Sequence, residues 1–511
     1  MASLICMVMG SLLLFKIFCD LFNRQRQRQL KLPPGPKAWP IIGNLNLIYP
    51  FFHLSIHGLA LKYGPIMHLR LGCHSAIIVS SVDMAKQFLK IHDRNFSYRP
   101  KSMAGKYLFY DYCNITFSPY GPYWCQIRKI CQEELFSSSQ LQLHQCICAQ
   151  EVKSLVGFLF VNAGKLIVIK HHISTAGFNM ICRMVAGQKY PNQSLVEKGI
   201  VGSDELPKML DELFLLTGVL NIGDLVPWIN FLDLQGYVKR MKNLRKKFDK
   251  LLDHIIDDIK TTRRVQGDSK IRTMVDALFD LLEEPNPEFC FTRKHIKAVL
   301  QDMIGGIETS TAVTEWAISE LLRNHQSLEK AREELEMVIG NERWVEEKDV
   351  PQLPYMEAIV KETMRLHPVG PMLAPRISNE HCNIAGYDIP AKTRVFINVL
   401  AIVRSPTVWE SPENFIPERF LDGGENIDVI GQHFELLPFG SGRRMCPAYN
   451  LGMKAVILTL ANLLHGFEWK LPEKMQACEL NMEEVVGLTM PRKVPLALVA
   501  QPRLPNHVYH F

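Results

Sequence analysis

One segment near the C-terminus is built for chemistry. Phe439-Gly440-Ser441-Gly442-Arg443-Arg444-Met445-Cys446-Pro447 sets a single cysteine in a glycine-rich loop, ahead of an apolar run from Leu451 to Leu464 that reads as a helix. A helix N-terminus and adjacent arginines favour thiolate over thiol. A lone thiolate at the mouth of a tight loop suits ligation of a metal or attack on a substrate. A buried structural cysteine would need neither the glycines nor the arginines.

A second segment sits inside an amphipathic pattern running from Thr292 to about Asn324, with Ile296, Val299, Leu300, Met303, Ile304 and Ile307 at helical spacing. Thr292 is an expected N-cap. At 1.5 Å per residue such a helix is ~48 Å long, enough to cross a domain, so it is expected at the centre. Within it, Gly305-Gly306-Ile307-Glu308-Thr309-Ser310 places two glycines mid-helix, each costing about 0.8–1 kcal/mol relative to alanine. The pattern reads equally as a packing notch for a crossing helix or as a flat surface for a planar ligand, with Glu308 and Thr309 facing the same region and handling protons. Two further pairs have helical spacing: Glu362-Thr-Met-Arg365 on an expected helix from Ala358 to Leu366, and Trp124-Cys-Gln-Ile-Arg128. Alone, an i,i+3 acid–arginine pair says little, because surface pairs are abundant.

Together these segments resemble the cytochrome P450 family. Phe439-x-x-Gly442-x-Arg444-x-Cys446 is similar to the family's heme-binding loop, Gly305 to Thr309 to its oxygen-activation helix, Glu362-x-x-Arg365 with Pro417-Glu418-Arg419-Phe420 to its buried Glu-Arg-Arg triad, and Trp124-x-x-x-Arg128 to its WxxxR helix. The resemblance implies a mainly α fold with a small β subdomain, the cytochrome P450 fold, and heme b with Cys446 as the axial ligand of its iron. It implies that Trp124, Arg128, Arg376 and Arg444 serve the heme carboxylates, that Phe439 and Gly442 shape the loop, and that Glu362, Arg365 and Arg419 are structural. It implies that Thr309 hydrogen-bonds bound dioxygen while Glu308 relays protons. The chain departs from the family at Ala448, where glycine normally lets the helix start approach the porphyrin, at Gly305, usually alanine, and at Cys125, arginine in many plant relatives and part of the surface expected to meet the reductase. Leu32-Pro-Pro-Gly-Pro36, Pro119-Tyr-Gly-Pro-Tyr-Trp124 and Phe434-Glu-Leu-Leu-Pro-Phe439 resemble the plant A-type group, and the C-terminal stretch resembles enzymes that oxidise flavonoids, terpenoids or homoterpene precursors.

The activity implied is insertion of one oxygen atom of dioxygen into a lipophilic specialised metabolite, the other atom leaving as water. No dinucleotide-binding glycine fingerprint occurs in the chain. Electrons are therefore expected from NADPH through cytochrome P450 reductase, with cytochrome b5 as a second donor. By family position, residues 102–117, the helix near Ile304 and Gly305, residues 369–373 and Leu488-Thr489 would line the substrate pocket. The rival readings are a heme-thiolate isomerase or dehydratase, a C–C-cleaving oxidase of the homoterpene-forming type, and a non-catalytic heme binder. An intact Glu308 and Thr309 argue against the isomerase.

Composition and termini bound the remainder. The chain has 511 residues, 47% apolar and 22% charged, which excludes intrinsic disorder. Its net charge of +6 is too mild for a nucleic-acid binder. The 13 cysteines include no CxxC pair, and Cys146 with Cys148 has no second pair to complete a zinc site. The basic run Lys239 to Lys250 reads as a solvated helix face, whereas residues 213–234, with Trp228 and Phe231, read as a membrane-resting stretch or as ordinary helix packing. Ser3 to Phe22 is apolar apart from Lys16 and Asp20 and is followed by Arg24, Arg26, Arg28 and Lys31. Some 20 such residues span a bilayer core, and the trailing positive charge orients the remainder to the cytosol. The expected organisation is a membrane anchor over residues 1–23, a basic and Pro-rich linker over 24–37, and a catalytic domain over 38–511 on the cytosolic face of the endoplasmic reticulum. In that topology the sequons at Asn95, Asn114 and Asn192 never meet the lumen. N-glycosidase treatment of chain made on eukaryotic microsomes is expected to leave its electrophoretic mobility unchanged; a faster-running product would reverse the orientation.

Overall fold

A computed structural model describes residues 30–48, 51–202, 205–266, 273–284, 288–421, 427–473, 475–485 and 487–510. The expected anchor over 1–23 lies outside the described residues, and among those described no helix is long and apolar enough to cross a membrane.

Six helices carry the site: α1 (Pro122–Cys131), α2 (Ile169–Ala186), α3 (Glu205–Gly218), α4 (Arg293–Arg323), α5 (Pro354–Leu366) and α6 (Tyr449–Gly466). Proline opens α1 and α5 at the first helical position, where its missing N–H costs nothing. α2 closes on Gly187 in the left-handed region. α4 begins after Thr292, whose N–H donates to His295 Nδ1 at 3.0 Å. From Thr311 to Leu321 every residue of α4 is buried, as befits a helix surrounded by others. It packs on α2, α5 and α6.

The strands are β1 (Ile66–Leu71), β2 (His74–Val79), β3 (Leu166–Val168), β4 (Arg376–Ile377), β5 (Cys382–Ile384), β6 (Tyr387–Ile389), β7 (Arg394–Ile397), β8 (Phe467–Lys470) and β9 (Ala497–Pro502). The chain divides into two compact units. The first holds the described residues of 30–100, 220–235 and 372–402. Here β1 and β2 form an antiparallel hairpin, turning through Gly72 at φ 59°, with Ile66 opposite Val79. β7 runs parallel to β2, pairing Ala76 with Arg394, and β4 closes the edge. β7 stops at Ile397, because the Asn398 side chain accepts the Ala401 N–H and starts a short helix, Val399–Val403. The Pro-rich stretch is bound rather than free: Pro34 O accepts the His68 N–H and Lys31 O the Asp388 N–H, both at 2.8 Å. Gly35 is required there, since a Cβ would lie 2.0 Å from His68 O.

The second unit holds the six helices and a sheet ordered β3-β9-β8. β3 comes from mid-sequence and pairs Leu166 with Val499. Three residues are too few for an alternation signal, so the pairing strand decides.

The two readings of the mid-helix glycines are separated by their surroundings. A Cβ on Gly306 would meet nothing within 4 Å, whereas one on Gly177 of α2 would lie 2.6 Å from Ile307 Cγ2. The packing notch is therefore on α2 at Gly177, and α4 presents Gly306 to open space. Gly177→Val is expected to lower stability by about 1–3 kcal/mol through overpacking, and Gly306→Ala to raise it by up to about 1 kcal/mol, both read from urea midpoints. Equal midpoints for the two variants would refute this assignment.

Candidate functional site

The cysteine loop folds as its glycines allow. Gly440 and Gly442 take φ 70° and 72°, conformations closed to most side chains. The loop doubles back so that the Cys446 N–H donates to Phe439 O at 2.9 Å and the Met445 N–H to Gly442 O at 3.0 Å. Ala448 precedes α6 at φ −94°, an ordinary conformation, so alanine there strains nothing in the backbone. Cys446, Pro447, Ala448, Leu451 and Gly452 form one wall of a cavity of about 300 Å³. Burial pushes the Cys446 thiol up; Arg128 and a backbone N–H oppose this without overcoming it. A bound cation, such as a metal, would favour the ionised sulfur.

α4 lines the same cavity with Gly305, Gly306, Thr309 and Ser310. Thr309 Oγ1 donates to Gly306 O at 2.8 Å. Glu308 does not share this wall, contrary to expectation: consecutive helical residues point about 100° apart. Its carboxylate turns to Lys170 of α2, 2.8 Å away. Burial raises Glu308 to about 7, with Lys170 pulling the other way. The other lining is mainly apolar, including Phe109, Phe117, Ile173, Leu213 and Phe214. Of the stretches expected at the pocket, residues 109 and 115–117, Gly305 and Leu488 reach it. Val369 instead accepts the Met490 N–H at 3.0 Å.

Beside the cysteine loop, the indole of Trp124 donates to Ile115 O at 3.0 Å. The Arg444 guanidinium lies 4.3 Å from the Trp124 ring centre and that of Arg128 lies 5.5 Å from it. Arg444 also donates to Ile115 O and Ser118 O. Arg128 has no carboxylate partner among the described residues, and burial lowers its pKa. A largely buried, unmatched cation is costly, so this site is short of an anion. The chemistry fits a heme: an apolar slot, a cysteine on its wall, and an arginine awaiting a carboxylate. Arg376 belongs to the first unit, buried and ion-paired with Asp93 at 3.1 Å.

Glu362 and Arg365 are fully buried, and Arg419 reaches them from a partly exposed position. Arg365 clasps Glu362 with two hydrogen bonds of 2.7 and 2.8 Å and spends its other donors on the carbonyls of Val403, Pro412 and Asn414. Arg419 Nε reaches Glu362 Oε1 at 3.2 Å, and the Ile416 N–H donates there at 2.8 Å. Removing one partner from such a pair costs about 3–5 kcal/mol, because the other charge is stranded.

Asp302 was missed. Its half-buried carboxylate on α4 accepts Asn114 Nδ2 at 2.8 Å, the Ile115 N–H at 2.8 Å and the Thr116 N–H at 3.1 Å, tying the lining loop to the helix. A lone acid in the apolar run Leu300-Gln-Asp-Met-Ile304 was the available signal. Lys170 and its partner Asp211 were also missed; nothing in the sequence marks them, because their meeting joins separate helices.

The chain belongs to the cytochrome P450 family: the family model described as Cytochrome P450 matches residues 33–497. Its fold is that family's. Two structures described as zebra fish cytochrome P450, one with abiraterone and one with progesterone, superpose with TM-scores of 0.71 and 0.73 at 25% identity, covering 88% of this chain and 99% of each. Among curated relatives it is 47% identical to trimethyltridecatetraene synthase of Zea mays, over 95% of this chain and 91% of that one. It is 42% identical to dimethylnonatriene synthase of Zea mays, over 97% and 96%. It is 40% identical to flavonoid 3'-monooxygenase of Petunia hybrida, over 96% and 95%. The chain is thus an oxidoreductase of the monooxygenase class, with heme b as its cofactor.

Asp302 gives a pH test. Burial raises its pKa to about 6 against the hydrogen bonds that favour its ionised form. The folded chain holds this proton where an unfolded chain has released it, at about 4. Its contribution to stability is therefore full below about pH 4 and declines as pH rises through 6. The stability of the native chain minus that of Asp302→Asn is expected to fall between pH 4 and 6 and then level, measured by urea unfolding at each pH. A difference that rises over that range would mean the hydrogen bonds outweigh burial.

Proposed function

We propose that this chain is a membrane-anchored monooxygenase that oxidises an acyclic terpenoid. The observation that carries the reading is the apolar cavity lined by Cys446 and by Gly306 and Thr309. The relatives of 47% and 42% identity are named for branched acyclic polyenes. The apolar lining accords with such a substrate, since pocket polarity mirrors ligand polarity. A flavonoid or other phenolic substrate is the second reading, supported by the 40% identity to a flavonoid 3'-monooxygenase.

Heme bound in this cavity supplies the activation of dioxygen. Cys446 is the ligand of its iron, and thiolate ligation by cysteine favours O–O cleavage. Arg128 and Arg444, steadied by Trp124, hold the heme carboxylates; guanidinium forks suit carboxylates in geometry and charge. Arg376 is assigned to the same anionic edge by family position. Phe439 and Gly442 shape the loop around the sulfur, and Glu362, Arg365 and Arg419 keep the surrounding backbone fixed. Thr309 Oγ1 holds a proton at the cavity wall, and Glu308 behind it exchanges protons near neutral pH. Asp302 positions residues 114–117 against the substrate. Electrons come from NADPH through cytochrome P450 reductase, with cytochrome b5 as an accessory donor. Residues 1–23 anchor the chain in the endoplasmic reticulum membrane, residues 24–37 join anchor to body, and residues 38–511 face the cytosol.

Cys446→Ser is the direct test. The native chain, reduced and exposed to carbon monoxide, is expected to show the absorption band of a thiolate-bound heme, and the serine variant to lose both band and turnover. A colourless native chain, or a fully active serine variant, refutes the reading. Co-expression with a plant reductase and mass spectrometry of products from acyclic terpene alcohols and flavonoids separates the substrate classes. Oxygen-independent turnover would instead indicate an isomerase or dehydratase, and a shortened carbon chain a C–C-cleaving oxidase. Pigment without any substrate-dependent NADPH use would indicate a non-catalytic heme binder.

A further inference from the structure

Lys170, near the start of α2, has a side chain only 8% exposed, yet its ammonium serves two carboxylates from two other helices. It donates to Asp211 Oδ1 of α3 at 2.6 Å. It lies 2.8 Å from Glu308 Oε1 of α4, but that oxygen receives no aligned hydrogen bond. The two acids differ in setting: Glu308 is 2% exposed and Asp211 is 52% exposed. One buried cation is thus divided between an acid inside the fold and an acid at its surface. The remaining charge near Glu308 comes from its own helix. Glu315, also buried, accepts the Leu496 N–H at 2.7 Å and feels the charge of Arg492. Lys170 from α2, Asp211 from α3 and Glu315 from α4 are the charged groups that act on Glu308.

The consequence follows from elementary electrostatics. An adjacent cation favours the ionised form of a buried carboxylate, and an adjacent anion disfavours it. Whatever draws Lys170 toward Asp211 leaves Glu308 under-compensated and ready to take up a proton; whatever returns it to Glu308 expels that proton. We propose that Lys170 is the positioning residue that sets the protonation of Glu308, with Asp211 as the competing, solvent-side partner. This rests on the assignment of Glu308 as a proton-exchanging group. In each cycle Glu308 gains one proton from water and gives one up, while Lys170 keeps all of its own, its pKa being held above the ordinary lysine value by the two acids. The predicted device is a charge balance across three helices, which a purely structural salt bridge would not need.

The test uses the heme-loaded full chain and the variants Lys170→Met, Asp211→Asn and Glu308→Gln. Difference infrared spectroscopy across a pH series reads the protonated-carboxyl stretch of Glu308, identified by its loss in Glu308→Gln. The native midpoint is expected at about pH 7. Lys170→Met should raise it by a pH unit or more, a tenfold or greater gain in proton affinity, and Asp211→Asn should lower it. The pH dependence of product formed per NADPH consumed should move in the same two directions. Midpoints that stay fixed, or move together, overturn the proposal. If Lys170→Met does not fold, the downward shift in Asp211→Asn, with a native-like midpoint in Lys170→Arg, decides alone. Opposite infrared shifts in a chain with no turnover would leave this device standing and remove the functional reading; turnover with unmoved midpoints would do the reverse.

Discussion

Charge buried inside a mostly apolar helical body has to be matched there, and the degree of matching differs from place to place in this chain. At Glu362 it is complete: two arginines and a backbone N–H surround the carboxylate, and Arg365 finds a carbonyl for each remaining donor group. Such a cluster fixes backbone from α5 and from the stretch 403–419 in one arrangement. The desolvation cost of the Glu362–Arg365 pair is offset because both groups are fully hydrogen-bonded.

Around the cavity the matching is left unfinished. Among the described residues Arg128 has no carboxylate partner, the Cys446 thiol is pushed toward its neutral form, and Glu308 shares the Lys170 cation with Asp211. Each deficit has a sign, and the signs agree: the site lacks an anion beside the arginines, a metal at the sulfur, and a settled proton on α4. A heme would supply the first two, with Arg128 and Arg444 holding its carboxylates and Cys446 its iron. The third rests on Lys170 and Asp211.

Much of this was legible in the residues, within one kind of limit. Spacing inside a segment transfers directly to geometry, so the loop Phe439 to Cys446, the helix after Thr292 and the Glu362–Arg365 pair could be read from the chain. The placement of Glu308 beside Thr309 on one wall could not, because adjacency in sequence is divergence on a helix. Meetings between segments left no trace either: Gly177 against Ile307, Asp302 under residues 114–116, Lys170 between α3 and α4, and β3 on β9. Each depends on where an element comes to rest, which is settled by packing of the whole unit rather than by local pattern.

That limit bears on specificity. The loop carrying Ile115, Thr116 and Phe117 is held to α4 by the Asp302 carboxylate and to the cysteine-loop side by Trp124 and Arg444, all acting on its backbone. Its lining side chains can therefore change without loss of these backbone bonds. An apolar pocket discriminates weakly between molecules differing by a methylene, at about 1–3 kcal/mol. Selection among apolar substrates must then come from the combined shape of Phe109, Phe117, Leu213 and Phe214 rather than from a single apolar contact. Of the polar groups of α4 on the cavity, Asp302 is spent on holding the loop, whereas the Gln301 amide has no hydrogen-bond partner among the described residues.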